Sequence, residues 1–167
     1  EDIGQFAALG FNRFSLGVQD FDPDVQSAIN RLQGYDLVEA CVSEIRAAGV
    51  DDLSFDILYG LPRQTLATFA DTLDKVVALG PDRVSVFGYA HLPSAFPRQR
   101  MIEMRDLPDS AMRAEMAELS DMRLAEAGSG GSDSIITQNQ PMRSPVGVSI
   151  IAGFFLTLGV MVARRLP

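Results

Sequence analysis

Three short segments rich in β-branched and aromatic residues constrain the fold of this chain most, because they alternate with amphipathic helical segments. They are FNRFSLGV (11–18), LSFDILYG (53–60) and RVSVFGYA (83–90). Each is nearly continuous in apolar character, as strands buried in a parallel sheet are. Strands that alternate with helices form βαβ units with right-handed crossovers. The sequence therefore predicts an α/β fold over residues 1–127, a partial parallel (β/α) arc of a barrel or open sheet with two unpaired edges.

Capping residues mark the helices between these strands. Asp22 followed by Pro23 predicts the start of one helix, and Thr65 predicts the start of another. Glycines predict where two helices end, at Gly49 and Gly80. The apolar stripes of these two helices are Val38, Val42, Ile45 and Ala48 in the first, and Leu66, Phe69, Leu73, Val76 and Val77 in the second.

Charge and cysteine content exclude some classes of function. The net charge of -8 argues against a nucleic-acid partner, because phosphate binding needs a concentrated basic surface. The single cysteine, Cys41, lies among helix-spaced apolar residues and is predicted to be a buried core residue. An iron-sulfur or metal site normally needs several thiolates, so no metal ligand is predicted.

The end of the chain has a different composition. Residues 128–145 are rich in Gly, Ser, Asn, Gln and Pro, which predicts a flexible linker. Residues 146–163 contain no charged residue, and as a helix they would be about 27 Å long, close to the thickness of a bilayer core. We therefore expect a single C-terminal transmembrane helix, followed by a short tail at 164–167.

Small residues recur at every fourth position of the expected membrane helix. Ser149, Gly153 and Thr157 would lie on one helix face, where they allow another helix to approach closely. This spacing predicts a membrane protein with other transmembrane helices as partners, although a plain anchor is the simpler alternative.

Candidate functional residues follow the predicted strands, since ligands bind at the carboxyl ends of parallel strands. These residues are Gln19, Asp20, Asp56, Tyr59, Tyr89, Ala90 and His91. Asp56 is equally well explained as a buried carboxylate that accepts hydrogen bonds from the backbone or from an arginine. The single histidine, His91, is more simply explained as a structural residue than as a ligand.

Three longer motifs carry a resemblance to a known family. They are GFNRFSLGVQDFDPDVQSAINR, DLSFDILYGLPRQT and PDRVSVFGYAHLP. In order and spacing they resemble the central part of oxygen-independent coproporphyrinogen III oxidase, a radical S-adenosylmethionine enzyme of haem synthesis. The resemblance implies that Gln19, Arg31, Asp56 and Ala90 contact S-adenosylmethionine. An arginine that binds a carboxylate in bidentate fashion fits this role for Arg31.

The sequence departs from that family in one respect. The family holds a [4Fe-4S] cluster on a CxxxCxxC loop, which this sequence does not contain. No catalytic residue is therefore predicted within the chain, and activity of the chain by itself is not expected.

Two functions follow as hypotheses. The first is a non-catalytic, single-pass membrane protein, an accessory subunit of a respiratory or photosynthetic complex that carries a truncated enzyme remnant; if the resemblance holds, it would lie in the inner membrane of a bacterium. The second is a fragment of the oxidase, inactive without the cluster segment. Under either hypothesis, LAEAGSGGSD (124–133) is interpreted as a fusion junction, a reading-frame boundary or an engineered linker between the enzyme-like and membrane segments.

Overall fold

The computed structural model describes residues 3–129, 136–140 and 160–163. The strands are β1 (Arg13–Gln19), β2 (Asp52–Tyr59), β3 (Arg83–Gly88), β4 (Ile136–Gln140) and β5 (Val160–Ala163). The α-helices are α1 (Ile3–Ala8), α2 (Pro23–Ala28), α3 (Tyr35–Ala47), α4 (Leu66–Ala78) and α5 (Ser110–Ser129). Two short 3₁₀ helices, Pro97–Met101 and Met104–Asp106, connect β3 to α5.

The strands form one sheet in the order β4-β3-β2-β1-β5. The strands β1, β2, β3 and β4 run parallel to one another, and β5 is antiparallel to β1. In the register of β1 and β2, Gly17 pairs with Asp56, and the register then shifts between Gly17 and Gln19. The predicted α/β fold with a parallel sheet is confirmed.

Local capping explains where the helices begin and end. The Asp22 carboxylate accepts hydrogen bonds from the backbone N–H groups of Asp24 and Val25 at the start of α2. Thr65 and Thr68 form a reciprocal capping box at the start of α4. Gly49 and Gly80 adopt positive φ after α3 and α4, at 77° and 61°. These caps lie where the sequence predicts them.

The two faces of the sheet have different chemistry. One face of β1, β2 and β3 is apolar and packs against α3 and α4 in the main core. The buried residues of this core include Phe14, Leu16, Phe55, Ile57, Val84, Val38, Ile45, Phe69 and Leu73. Cys41 belongs to the same cluster, with only 7% of its surface exposed, so its prediction as a core cysteine is confirmed. Because side chains alternate along a strand, the opposite face carries Ser15, Ser54, Asp56 and Ser85.

The edges of the sheet differ from the prediction. An arc of three strands would leave β1 and β3 unpaired on their outer sides, but β5 pairs with β1 and β4 pairs with β3. Unpaired N–H and C=O groups of an edge strand are a template for a further strand, which is the physical reason for the difference. Since β4 lies within the predicted linker 128–145, and α5 extends to Ser129, part of that segment has regular structure.

The expected membrane helix is not supported by the residues that the structure describes. No helix among them is long and apolar enough to cross a membrane. Residues 160–163, the last part of the expected helix, instead form β5, where Val160 and Val162 have the β-branched side chains that favour strands. Residues 146–159, with Ser149, Gly153 and Thr157, lie outside the described residues.

Candidate functional site

Gln19 lies at the carboxyl end of β1 in a tight turn. Its φ is 66°, and the N–H of Asp20 donates to the carbonyl oxygen of Val18 at 2.9 Å. A hydrogen bond across two residues around a positive φ defines a γ-turn of the rare, strained kind. The turn follows directly on the register shift between Gly17 and Gln19. Strained backbone at the end of a strand is typical of a functional position.

The carboxylate of Asp20 is fully buried and accepts three hydrogen bonds. The donors are the backbone N–H of Asp22 at 2.6 Å, Thr72 Oγ1 at 3.2 Å and Gln64 Nε2 at 2.6 Å. Burial raises the pKa of Asp20 to about 6, although these hydrogen bonds act to lower it. Asp20 is therefore mostly ionised at pH 7. Its three hydrogen-bond donors stabilise the negative charge, and none of these donors is a cation.

Gln64 joins the carboxyl end of β2 to this carboxylate. Its Oε1 accepts hydrogen bonds from the N–H groups of Gly60 and Leu61, and its Nε2 also donates to the carbonyl oxygen of Leu58. The side chain is 2% exposed. One buried amide thus fixes the turn after β2 relative to the turn after β1.

Arg31 is buried beside β1, just after α2. Its Nη2 donates to the carbonyl oxygen of Gly17 at 2.6 Å and to Gln33 Oε1 at 3.1 Å. Gln26 holds this segment by donating from Nε2 to the carbonyl oxygens of Asp20 and Gln33. Burial lowers the pKa of Arg31. A cation is therefore held against the end of β1.

Asp56 lies on the polar face of the sheet, in the middle strand. Ser15 Oγ donates to Asp56 Oδ2 at 3.3 Å, and Ser85 on β3 also hydrogen-bonds the carboxylate. Burial raises the pKa of Asp56, whereas the two serines act to lower it. Its partners are hydroxyl groups of neighbouring strands, and not the arginine or backbone groups considered from the sequence.

Arg31 and Asp56 are both neighbours of Gly17 in β1. Gly17 accepts the hydrogen bond from Arg31 and is the register partner of Asp56. A buried cation and a half-buried carboxylate therefore both lie next to the end of β1. Such a pair can bind a ligand that carries both a carboxylate and hydroxyl or amine groups.

Ala90 is positioned by a different residue, two positions beyond the end of β3. Gln99, which is 3% exposed, donates from Nε2 to the carbonyl oxygen of Ala90 at 3.0 Å.

His91 Nδ1 lies 3.3 Å from the hydroxyl of Tyr89, which agrees with a structural role for this histidine. Burial raises the pKa of Tyr89 to about 12.

Arg113 on α5 is a residue that sequence reasoning missed. Its guanidinium donates to the carbonyl oxygens of Tyr89 at 2.8 Å and Gly60 at 3.3 Å, and it lies 5.7 Å from the ring centroid of Tyr59. A Cβ at Gly60 would collide with this guanidinium. Arg113 thus joins the carboxyl ends of β2 and β3, and no local sequence signal indicates this contact.

Within the described residues, no group of three or more His, Cys, Asp or Glu side chains could hold a metal ion. Cys41 lies on α3 in the apolar core, on the face of the sheet opposite Asp56. These residues do not fit a [4Fe-4S] cluster.

The sequence model of a family described as the radical SAM superfamily matches residues 1–76. An oxygen-independent coproporphyrinogen III oxidase of Pseudomonas aeruginosa is 48% identical over 126 residues, which are 75% of this chain and 27% of the relative. That of Bradyrhizobium diazoefficiens is 50% identical, over 71% of this chain and 26% of the relative. Residues 1–127 resemble oxygen-independent coproporphyrinogen III oxidase. The resemblance inferred from the three sequence motifs is confirmed.

Solved structures agree with this similarity. Coproporphyrinogen III oxidase from Escherichia coli, described as a radical SAM enzyme, has a TM-score of 0.74 and 41% identity over 75% of this chain and 29% of that chain. The archaeal Elp3 of Methanocaldococcus infernus has a TM-score of 0.63 at 18% identity, over 87% of this chain and 33% of that chain, and so shares the fold alone. The present chain spans about a quarter of the length of the two curated relatives described above.

Proposed function

We propose that residues 1–127 form part of the S-adenosylmethionine-binding wall of a coproporphyrinogen III oxidase of the oxygen-independent, radical type. The observation that carries the proposal is that Arg31 donates to the carbonyl oxygen of Gly17, which is the register partner of Asp56 in the parallel sheet. The similarity to the oxidases, between 41% and 50% identity in the relatives described above, supports it.

The proposed roles follow from the chemistry of the side chains. S-adenosylmethionine carries a carboxylate, an amine and ribose hydroxyl groups, and it supplies the radical chemistry of its superfamily when it is bound next to a reducing cluster. The Arg31 guanidinium would pair with the carboxylate. The Asp56 carboxylate would accept hydrogen bonds from hydroxyl or amine groups, and the Gln19 amide can both donate and accept. The backbone of Ala90 would contact the ligand from the end of β3.

The chain's own residues would bind and orient this ligand without reducing it. With Cys41 as the only cysteine of the sequence, cluster ligands would have to come from another polypeptide segment. We therefore expect binding of S-adenosylmethionine by this chain, and no turnover of coproporphyrinogen.

Calorimetric titration of the chain with S-adenosylmethionine tests the proposal. Asp56→Asn should weaken binding about tenfold, because a charge-assisted hydrogen bond is lost. Asp52→Asn is the matched control: Asp52 begins the same strand, and its carboxylate contacts Arg13 and Arg83 at the opposite end of the sheet. Absence of binding to the unaltered chain, or equal weakening by both variants, would contradict the proposal.

A second proposal concerns the uncharged segment 146–163, of which the structure describes residues 160–163 as β5. Its uncharged sequence and the small residues Ser149, Gly153 and Thr157 favour packing against other membrane helices, as an accessory subunit of a larger complex would require. The similarity to the oxidases favours the first proposal over this one. Recovery of the chain from cell membranes only after detergent extraction, and its release on deletion of 146–163, would support the membrane role. Recovery without detergent would contradict it.

A further inference from the structure

The strained turn at Gln19 is held from outside by one side chain of α4. Thr72 is fully buried, and its Oγ1 donates to Asp20 Oδ1 at 3.2 Å. The same oxygen accepts a hydrogen bond from the N–H of Phe21 at 3.1 Å. Thr72 therefore contacts both residues that follow Gln19 in the chain.

The other hydrogen bonds of Asp20 also hold the turn after β1 in place. Gln64 Nε2 binds Asp20 Oδ2, while Gln64 Oε1 accepts from the backbone N–H groups of Gly60 and Leu61. The backbone N–H of Asp22 occupies Asp20 Oδ1 together with Thr72. The turn after β1 is thus joined to the turn after β2 and to α4 through buried hydrogen bonds.

A positive φ at a residue with a side chain needs such support. Left-handed backbone is unfavourable for every residue except glycine, and it persists only where the surroundings determine it. The Gln19 side chain is 5% exposed, and the hydrogen bonds that hold the turn are made by the two residues that follow it, Asp20 and Phe21.

We infer that Thr72 and Gln64 are positioning residues that hold Gln19 in its left-handed turn, and so aim the Gln19 amide at the ligand that Arg31 and Asp56 bind. Neither residue touches the ligand; each acts through Asp20. The second part of this inference rests on the proposed function, whereas the first part concerns the backbone at Gln19 alone.

Two threonines one turn apart on α4 provide a matched test. Thr72→Val keeps the size of the side chain and removes the hydroxyl that contacts Asp20 and Phe21. Thr68→Val makes the same change in the capping box of α4, where Thr68 exchanges hydrogen bonds with Thr65. Both variants should lower Tm, because each loses hydrogen bonds of α4.

Only Thr72→Val should change the site. The ¹³Cα and ¹³Cβ chemical shifts of Gln19 should move in Thr72→Val and stay unchanged in Thr68→Val. Affinity for S-adenosylmethionine should fall about tenfold in Thr72→Val and stay within about twofold of the unaltered chain in Thr68→Val. Thr72→Ser, which keeps the hydroxyl, should restore both measurements.

Gln64→Glu serves if Thr72→Val does not fold. A glutamate keeps acceptors for Gly60 and Leu61 but places a carboxylate against Asp20, so the Gln19 shifts should again move. Unchanged Gln19 shifts in the folded variants would overturn the inference. If the unaltered chain binds no S-adenosylmethionine, the proposed function fails, while the chemical shifts still decide whether Thr72 and Gln64 hold the turn.

Discussion

The contact between Gly60 and Arg113 leads to a quantitative prediction about stability. The Arg113 guanidinium donates to the carbonyl oxygens of Gly60 and Tyr89, which directly follow β2 and β3. Hydrogen bonds to a charged donor each contribute about 1.5–3 kcal/mol when well buried. Since Arg113 is only half-buried, we expect Arg113→Ala to lower the free energy of unfolding by about 2–4 kcal/mol.

Gly60→Ala should be at least as damaging. Gly60 has a φ of 79°, and left-handed backbone costs an alanine about 1–2 kcal/mol. The new Cβ also occupies the position of the Arg113 guanidinium, which must then move away from both carbonyl oxygens. The total loss for Gly60→Ala is therefore about 3–6 kcal/mol.

The double variant separates these terms. Without the Arg113 side chain, Gly60→Ala meets no collision and loses only the backbone term of about 1–2 kcal/mol. Urea unfolding of the four proteins should therefore give a coupling energy of about 2–4 kcal/mol, with the double variant no less stable than Gly60→Ala alone. Additive losses would refute the idea that Arg113 is held at Gly60.

Two further predictions concern titratable groups. The pKa of Asp20 is about 6 in the folded chain, against an ordinary value of 3.8. The folded state therefore binds the proton more tightly than the unfolded state. The stability that protonated Asp20 contributes is present below pH ~4 and is lost as the pH rises through about 6. The unfolding free energy of the unaltered chain, relative to Asp20→Asn, should fall by about 2.5 kcal/mol between pH 4 and pH 7 in urea titrations, and parallel profiles would exclude this linkage. Burial, and secondarily Glu44, raises the pKa of Cys41, so its reaction with a thiol reagent should be slow in the native chain and fast in urea. Fast reaction without denaturant would show that Cys41 is accessible.

Local signals explain what the sequence predicts correctly. Asp22 with Pro23, Thr65 and the apolar stripes act within a few residues, so the starts of α2 and α4 can be recognised without knowledge of the fold. The three strands are recognisable because each is a short run rich in β-branched and aromatic residues, and Asp56 stands out because it lies between Phe55 and Ile57 in such a run.

Contacts between distant segments explain what the sequence does not predict. The sequence identifies Thr72 only as a helical residue and gives no reason to connect it with Asp20, which is 52 positions away. Arg113 reaches Gly60 across 53 positions in the same way. The polar strand Ile136–Gln140 lacks the apolar alternation of a strand, and only its pairing with the edge of β3 accounts for it.

The central claim is that S-adenosylmethionine binds at the carboxyl end of β1, between Arg31 and Asp56. Addition of S-adenosylmethionine to the ¹⁵N-labelled chain tests it most directly, because backbone amide shifts locate the contact. The account predicts saturable shift changes at Gly17, Gln19, Asp56 and Ala90, with little change at Asp52 and Arg83 at the opposite end of the sheet. No shift changes, or changes confined to residues away from the ends of β1, β2 and β3, would contradict it.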